Sequence, residues 1–187
     1  MLQNNSKIIF TLLSFSFIAA LITQIRPELI INFWMSKYYF VQWNYIQTFI
    51  QFFTSQFIHW DFFHLIFNAI FIFIFWNYVS RIIWDKILTL FFIFSSIFIW
   101  ISLIIFSFGI TVWMSWFALA LLSFYGLELF RLKNIEYKWA VFAIILNIII
   151  WLATWISLLW HLFWAISGIL FFILLKIFNL ISTKNID

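Results

Sequence analysis

Between Lys86 and Glu128, and again between Lys138 and Lys176, not one Asp, Glu, Lys or Arg interrupts the chain. Stretches of that length without charge cannot coat a water-facing surface. Charged residues make up 9% of the 187 residues and hydrophobic ones 67%, against about 25% charged in soluble domains. A soluble globular domain is therefore excluded, and so is disorder, which needs low hydrophobicity. A bilayer is the solvent that suits this composition. Each spanning helix takes roughly 20 residues, so the chain holds six spans with short loops. The expected fold is all-α: one polytopic membrane domain over residues 1–187. A membrane barrel needs segments that alternate apolar and polar residues, and these runs are continuously apolar. With no cysteine, disulfides and thiolate metal sites are excluded.

The apolar runs place the spans at Ile8–Thr23, Phe62–Val79, Ile87–Phe108, Trp113–Phe130, Trp139–Leu152 and Leu158–Phe178. The first is read as an uncleaved span, because no small-residue cleavage pattern follows it. Pro27, the sole proline, stands just after it, where a helix would stop. The ten basic residues orient the set. With the N-terminus inside, Lys7, Arg81, Lys86, Arg131, Lys133, Lys138, Lys176 and Lys184 lie inside, and only Arg26 and Lys37 outside. Both termini are then cytoplasmic, and the second, fourth and sixth spans start at the outer face. The net charge of +4 reads as this topology signal, and no nucleic-acid partner is expected. The segment from Pro27 to His59 becomes a long outer connection, lying in the interface and partly helical.

On that topology the chain's chemistry-bearing residues gather at one depth. His59 and His64 stand at the start of the second span, with Asn68 one turn further on. Ser115 begins the fourth span and His161 the sixth. His64 and Asn68, four apart, share a helix face. His59 and His64, five apart, do not, and H-E-x-x-H is absent, so no metal site is expected. A serine hydroxyl becomes a nucleophile when a base takes its proton, and His161 is the candidate base. The first-turn N–H groups of a helix have no intrahelical partners and suit a developing oxyanion, with His64 and Asn68 as further donors. The bland alternative is a serine bonded to its own helix's carbonyls. A buried intramembrane histidine argues against blandness, because burying it is costly.

These residues resemble a known pattern. The stretch FTSQFIHWDFFHLIFNAIFIFIFW is similar to the second span of rhomboid intramembrane serine proteases, which carry H-x-x-x-x-H-x-x-x-N; His59, His64 and Asn68 keep that spacing. The family's G-x-S-G stands here as Trp113-Met114-Ser115-Trp116. Its base, followed by small residues at +3 and +7, corresponds to His161 with Trp164 and Gly168. The resemblance covers roughly residues 40–178 and keeps the six-helix order. It implies Ser115 as nucleophile, His161 as general base, His64 and Asn68 at the oxyanion site, and His59 beside a water-accessible cavity. It implies membrane-anchored protein substrates cut within or beside their transmembrane segments, no cofactor, no metal, and a bacterial plasma membrane as the location. The Trp-Arg pair common in the family's first outer loop appears here as Ile50-Gln51.

The larger departure is tryptophan at glycine positions. The chain has 13 Trp and 3 Gly, whereas ordinary glycine usage of about 7% would give about 13. Tryptophan replaces family glycines at Trp60, Trp76, Trp113, Trp116 and Trp164, and Trp160 precedes the base. UGA means tryptophan in one variant genetic code and glycine in another, and the Phe/Ile/Asn/Lys bias points to an AT-rich gene. We read many of these tryptophans as glycines in the natural protein. As literal indoles, Trp116 and Trp164 are expected to wedge the seam between the fourth and sixth spans. The competing functions are an inactive rhomboid-like protein that binds transmembrane segments, and a small transporter. No inverted repeat and no charge at a span centre support the last.

Overall fold

The computed structural model describes residues 6–59, 62–106, 110–111, 117–150 and 155–181. Among them the chain is all-helical apart from one two-residue ladder. Its order is α1 (Ser6–Ile25), α2 (Glu28–Phe33), β1 (Met35–Ser36), α3 (Lys37–Val41), α4 (Tyr45–Thr54), α5 (Phe62–Ile82), α6 (Asp85–Phe106), β2 (Ile110–Thr111), α7 (Phe117–Arg131), α8 (Tyr137–Ile150) and α9 (Trp155–Ile177). Among the described residues three helices are long and apolar enough to cross a bilayer: Lys7–Ile25, Phe62–Ile82 and Asp85–Phe106. At 1.5 Å per residue each reaches about 30 Å, the thickness of the hydrocarbon layer. This marks the chain as a membrane protein. Shorter apolar helices follow at Tyr137–Ile150 and His161–Ile177.

The chain divides into two compact units, Met1–Phe71 with Trp100–Ser115, and Ile72–Ile99 with Trp116–Asp187. In the first, Pro27 separates α1 from α2, since its ring cannot continue a helix. Antiparallel pairing of Met35 with Thr111 and Ser36 with Ile110 forms the ladder. Helix α4 is built inside out. Ile46, Phe49, Ile50 and Phe53 are exposed, while Thr48 and Gln51 are buried. The buried side bonds to the backbone of the preceding segment. Gln51 Oε1 accepts from Ser36 N at 3.3 Å and its Nε2 donates to Asn32 O at 3.2 Å. Thr54 Oγ1 donates to Phe33 O at 2.7 Å. An apolar face turned outward suits lipid.

In the second unit α7 is the central helix. Its residues from Phe117 to Phe124 are all buried, as are Gly126, Glu128 and Leu129, as expected of a helix enclosed on every side. It packs against α8 and α9. Phe91 of α6 stacks on Phe171 of α9 with ring centroids 4.5 Å apart, and lies 5.3 Å from Phe117 and 5.4 Å from Phe124. Small residues let α7 and α9 meet backbone to backbone: a Cβ added at Gly168 would lie 2.2 Å from the Ala120 carbonyl oxygen. Toward its last turn, buried Glu128 takes a two-pronged bond from Arg131, each prong 2.6 Å long, so the carboxylate is not left bare in an apolar setting.

Two features of the printed tryptophans stand out. Helix α3 ends with Asn44 N bonded to Tyr39 O at 2.9 Å and Trp43 N bonded to Phe40 O at 3.1 Å, the paired closing bonds that favour a left-handed residue, usually glycine, just past the helix. That residue is Trp43, at φ 59°, where a bulky side chain is an outlier. Trp76 and Trp164 are fully buried beside Phe117, at centroid distances of 6.3 and 6.2 Å. Their indole N–H groups have no hydrogen-bond partner among the described residues, a cost of about 1–3 kcal/mol for each such group. The expected wedge at 164 is not seen one turn along. There, at Gly168, the two helices remain in contact.

Candidate active site

His59, His64 and Asn68 lie in the first unit. His59 is buried just before α5, and its Nδ1 lies 3.2 Å from the Phe57 carbonyl oxygen. His64 stands in the first turn of α5, and the two imidazole centroids are 6.2 Å apart, tilted by 53°. His59 itself is not helical, so residues five apart in sequence lie closer than a regular helix would bring them. Asn68 follows one turn below His64 on the same face. Its amide Nδ2 is buried and has no hydrogen-bond partner among the described residues. Buried amide donors are nearly always satisfied, and this one lies on the helix face that carries His64.

His161 lies in the second unit, two turns into α9, and is buried. Its Nδ1 bonds the side-chain Oδ1 of Asn147 on α8. Since an amide oxygen only accepts, Nδ1 carries the hydrogen, and Nε2 of a neutral ring is then the basic nitrogen. Helices α8 and α9 pack together, and Asn147 sits in the last turn of α8. The sequence reading passed over Asn147. Its signal was available: it is the only amide in the otherwise apolar run Trp139–Leu152, and polar side chains within such runs are retained for a partner or a function.

Ser115 lies outside the described residues, together with Trp113, Trp116 and Trp60, and the side chain of Trp160 is not described either. Among the described residues no three His, Asp or Glu side chains converge to hold a metal ion. What the described residues offer is a tautomer-fixed imidazole in one unit, and a histidine pair with an unpaired amide donor in the other. Compared with protein-family models, curated proteins and solved structures, the chain finds no match in any of the three.

Proposed function

We propose that the chain is an intramembrane serine endopeptidase of rhomboid type, with six spans and both termini cytoplasmic, cutting membrane-anchored proteins. Ser115 Oγ attacks the scissile carbonyl while His161 Nε2 takes its proton. The proton passes to the leaving amine, and a water deprotonated by His161 then hydrolyses the acyl-enzyme. Backbone N–H groups at the start of the fourth span, with Asn68 Nδ2 and His64, donate to the oxyanion. His59 supports His64 from the loop before α5. No cofactor or metal takes part in these steps.

The observation that carries this reading is the buried Asn68 Nδ2, without a hydrogen-bond partner among the described residues and one turn from the His59–His64 pair. A structural asparagine in an apolar helix bonds a neighbour, whereas an oxyanion donor waits for substrate. The runner-up is an inactive relative that binds transmembrane segments without cutting them. Trp113 and Trp116 on either side of Ser115 favour it if they are tryptophan in the natural protein. We further propose that many of the 13 Trp positions are glycine there. Trp43 in a left-handed conformation and the unpaired indoles of Trp76 and Trp164 support this, since glycine at each relieves the strain or removes the orphan donor.

The test is labelling with a fluorophosphonate probe, on the tryptophan and glycine forms of the full chain. Labelling that disappears on Ser115→Ala is the expected result. A folded protein that stays unlabelled in both forms would leave the binding-only reading.

A further inference from the structure

We infer that Asn147 is the positioning residue for the base, so that the working group is a Ser–His–Asn series and not a dyad. The inference rests on the protease reading for its chemistry and on the α8–α9 contact for its geometry. A histidine base must present the correct tautomer and hold its ring still, a task a third, hydrogen-bond-accepting group performs in other serine and cysteine hydrolases. A third group of this kind bonds His161 here. The Asn147 Oδ1 holds Nδ1, and two helices that pack together set the geometry. An amide carries no charge, so it fixes the ring without the cost of burying a carboxylate in an apolar setting.

The charged groups of the helices around His161 belong to the far ends of those helices. They are Asp85 and Lys86 on α6, Glu128 and Arg131 on α7, Lys138 on α8 and Lys176 on α9. The tyrosines at 125 and 137 lie toward the same ends. Among the described residues, Asn147 is the side chain bonded to His161 Nδ1.

The experiment measures cleavage of a model transmembrane substrate against pH, using whichever form of the full chain the fluorophosphonate labels. Asn147→Ala should lower kcat about tenfold to a hundredfold, the scale of a misplaced catalytic group, with KM little changed. Asn147→Asp should restore most of the turnover at high pH. It should also move the acid limb of kcat/KM to higher pH by about one unit or more. The reason is that a carboxylate beside the imidazole favours its protonated form, and the base works only when unprotonated. A residue that merely packs would not move that limb. Nitrogen-15 NMR of the histidines should show His161 protonated at Nδ1 in the parent and as mixed tautomers in Asn147→Ala.

A labelled parent whose acid limb stays put in Asn147→Asp, with Asn147→Ala within twofold of it, overturns the positioning role alone. If Asn147→Ala does not fold, the limb in Asn147→Asp decides. If neither parent form is labelled at Ser115, the protease reading fails and the positioning role falls with it.

Discussion

Gly168 of α9 lies against the backbone of Ala120 of α7, so close that a single added carbon would sit 2.2 Å from the Ala120 carbonyl oxygen. The obstacle is backbone, which cannot swing aside as a side chain can. Gly168→Ala should therefore force α7 and α9 apart and destabilise the fold by about 1–3 kcal/mol or more, seen as a lower thermal midpoint in detergent. Gly126→Ala should cost less. Its new carbon would meet the Ala140 Cβ at 3.0 Å, where a small shift of α8 relieves the contact.

Asn68→Ala should leave folding nearly intact, because its amide hydrogen bonds no described residue. Turnover should fall by about 10²–10³, the usual loss of one oxyanion donor. The comparison is kcat against thermal midpoint in one preparation. Full turnover in the folded variant would remove Asn68 from the site.

Tags at both ends should resist protease added to intact cells, since both flank the segments that hold eight of the ten basic residues. Digestion of a C-terminal tag alone would mean an odd number of spans.

Trp43→Gly should stabilise the chain. A side chain in the left-handed region costs about 1–2 kcal/mol, and Trp43 holds φ 59°. Trp43→Ala keeps a Cβ and should gain much less in the same melting measurement. The matching genetic observation is an in-frame UGA at codon 43. An ordinary tryptophan codon there would mean that the strain is native.

The glycine form should cut a model substrate, and restoring Trp116 alone should abolish cutting. An indole directly after the nucleophile takes the space that substrate or base must occupy, and a displacement of 1 Å can cost about 10²-fold. Restoring Trp34, in the outer connection, should do far less. Equal cleavage by the printed and glycine forms would defeat this steric account.

The three helices long enough to span were legible in the sequence within about three residues of their ends, because a bilayer demands length and continuous hydrophobicity and little else. The first was expected at Ile8–Thr23 and runs Ser6–Ile25; the fifth was expected at Trp139–Leu152 and runs Tyr137–Ile150. The fourth was expected at Trp113–Phe130; residues 113–116 lie outside the described residues, and its described part runs Phe117–Arg131. The outer connection was legible as partly helical but not as three short helices and a strand pair. Those elements are set by Gln51 and Thr54 reaching backbone groups 15 to 21 residues away, which no periodicity encodes. The His64–Asn68 face followed from four-residue spacing. Asn147 was missed because its partner, His161, lies on another helix, and spacing within one helix cannot reveal a pair between two.

The reversed polarity of α4 also constrains the order of assembly. An isolated α4 in lipid would keep the Thr48 bond to Asn44 O but leave the Gln51 side chain without partners, at several kcal/mol for each unmet polar group in hydrocarbon. The Gln51 amide meets its two partners on α2 and β1, and β1 is itself paired with β2, more than 70 residues further along the chain. The segment that satisfies Gln51 is therefore complete only when the chain as far as β2 has been made and has paired with β1.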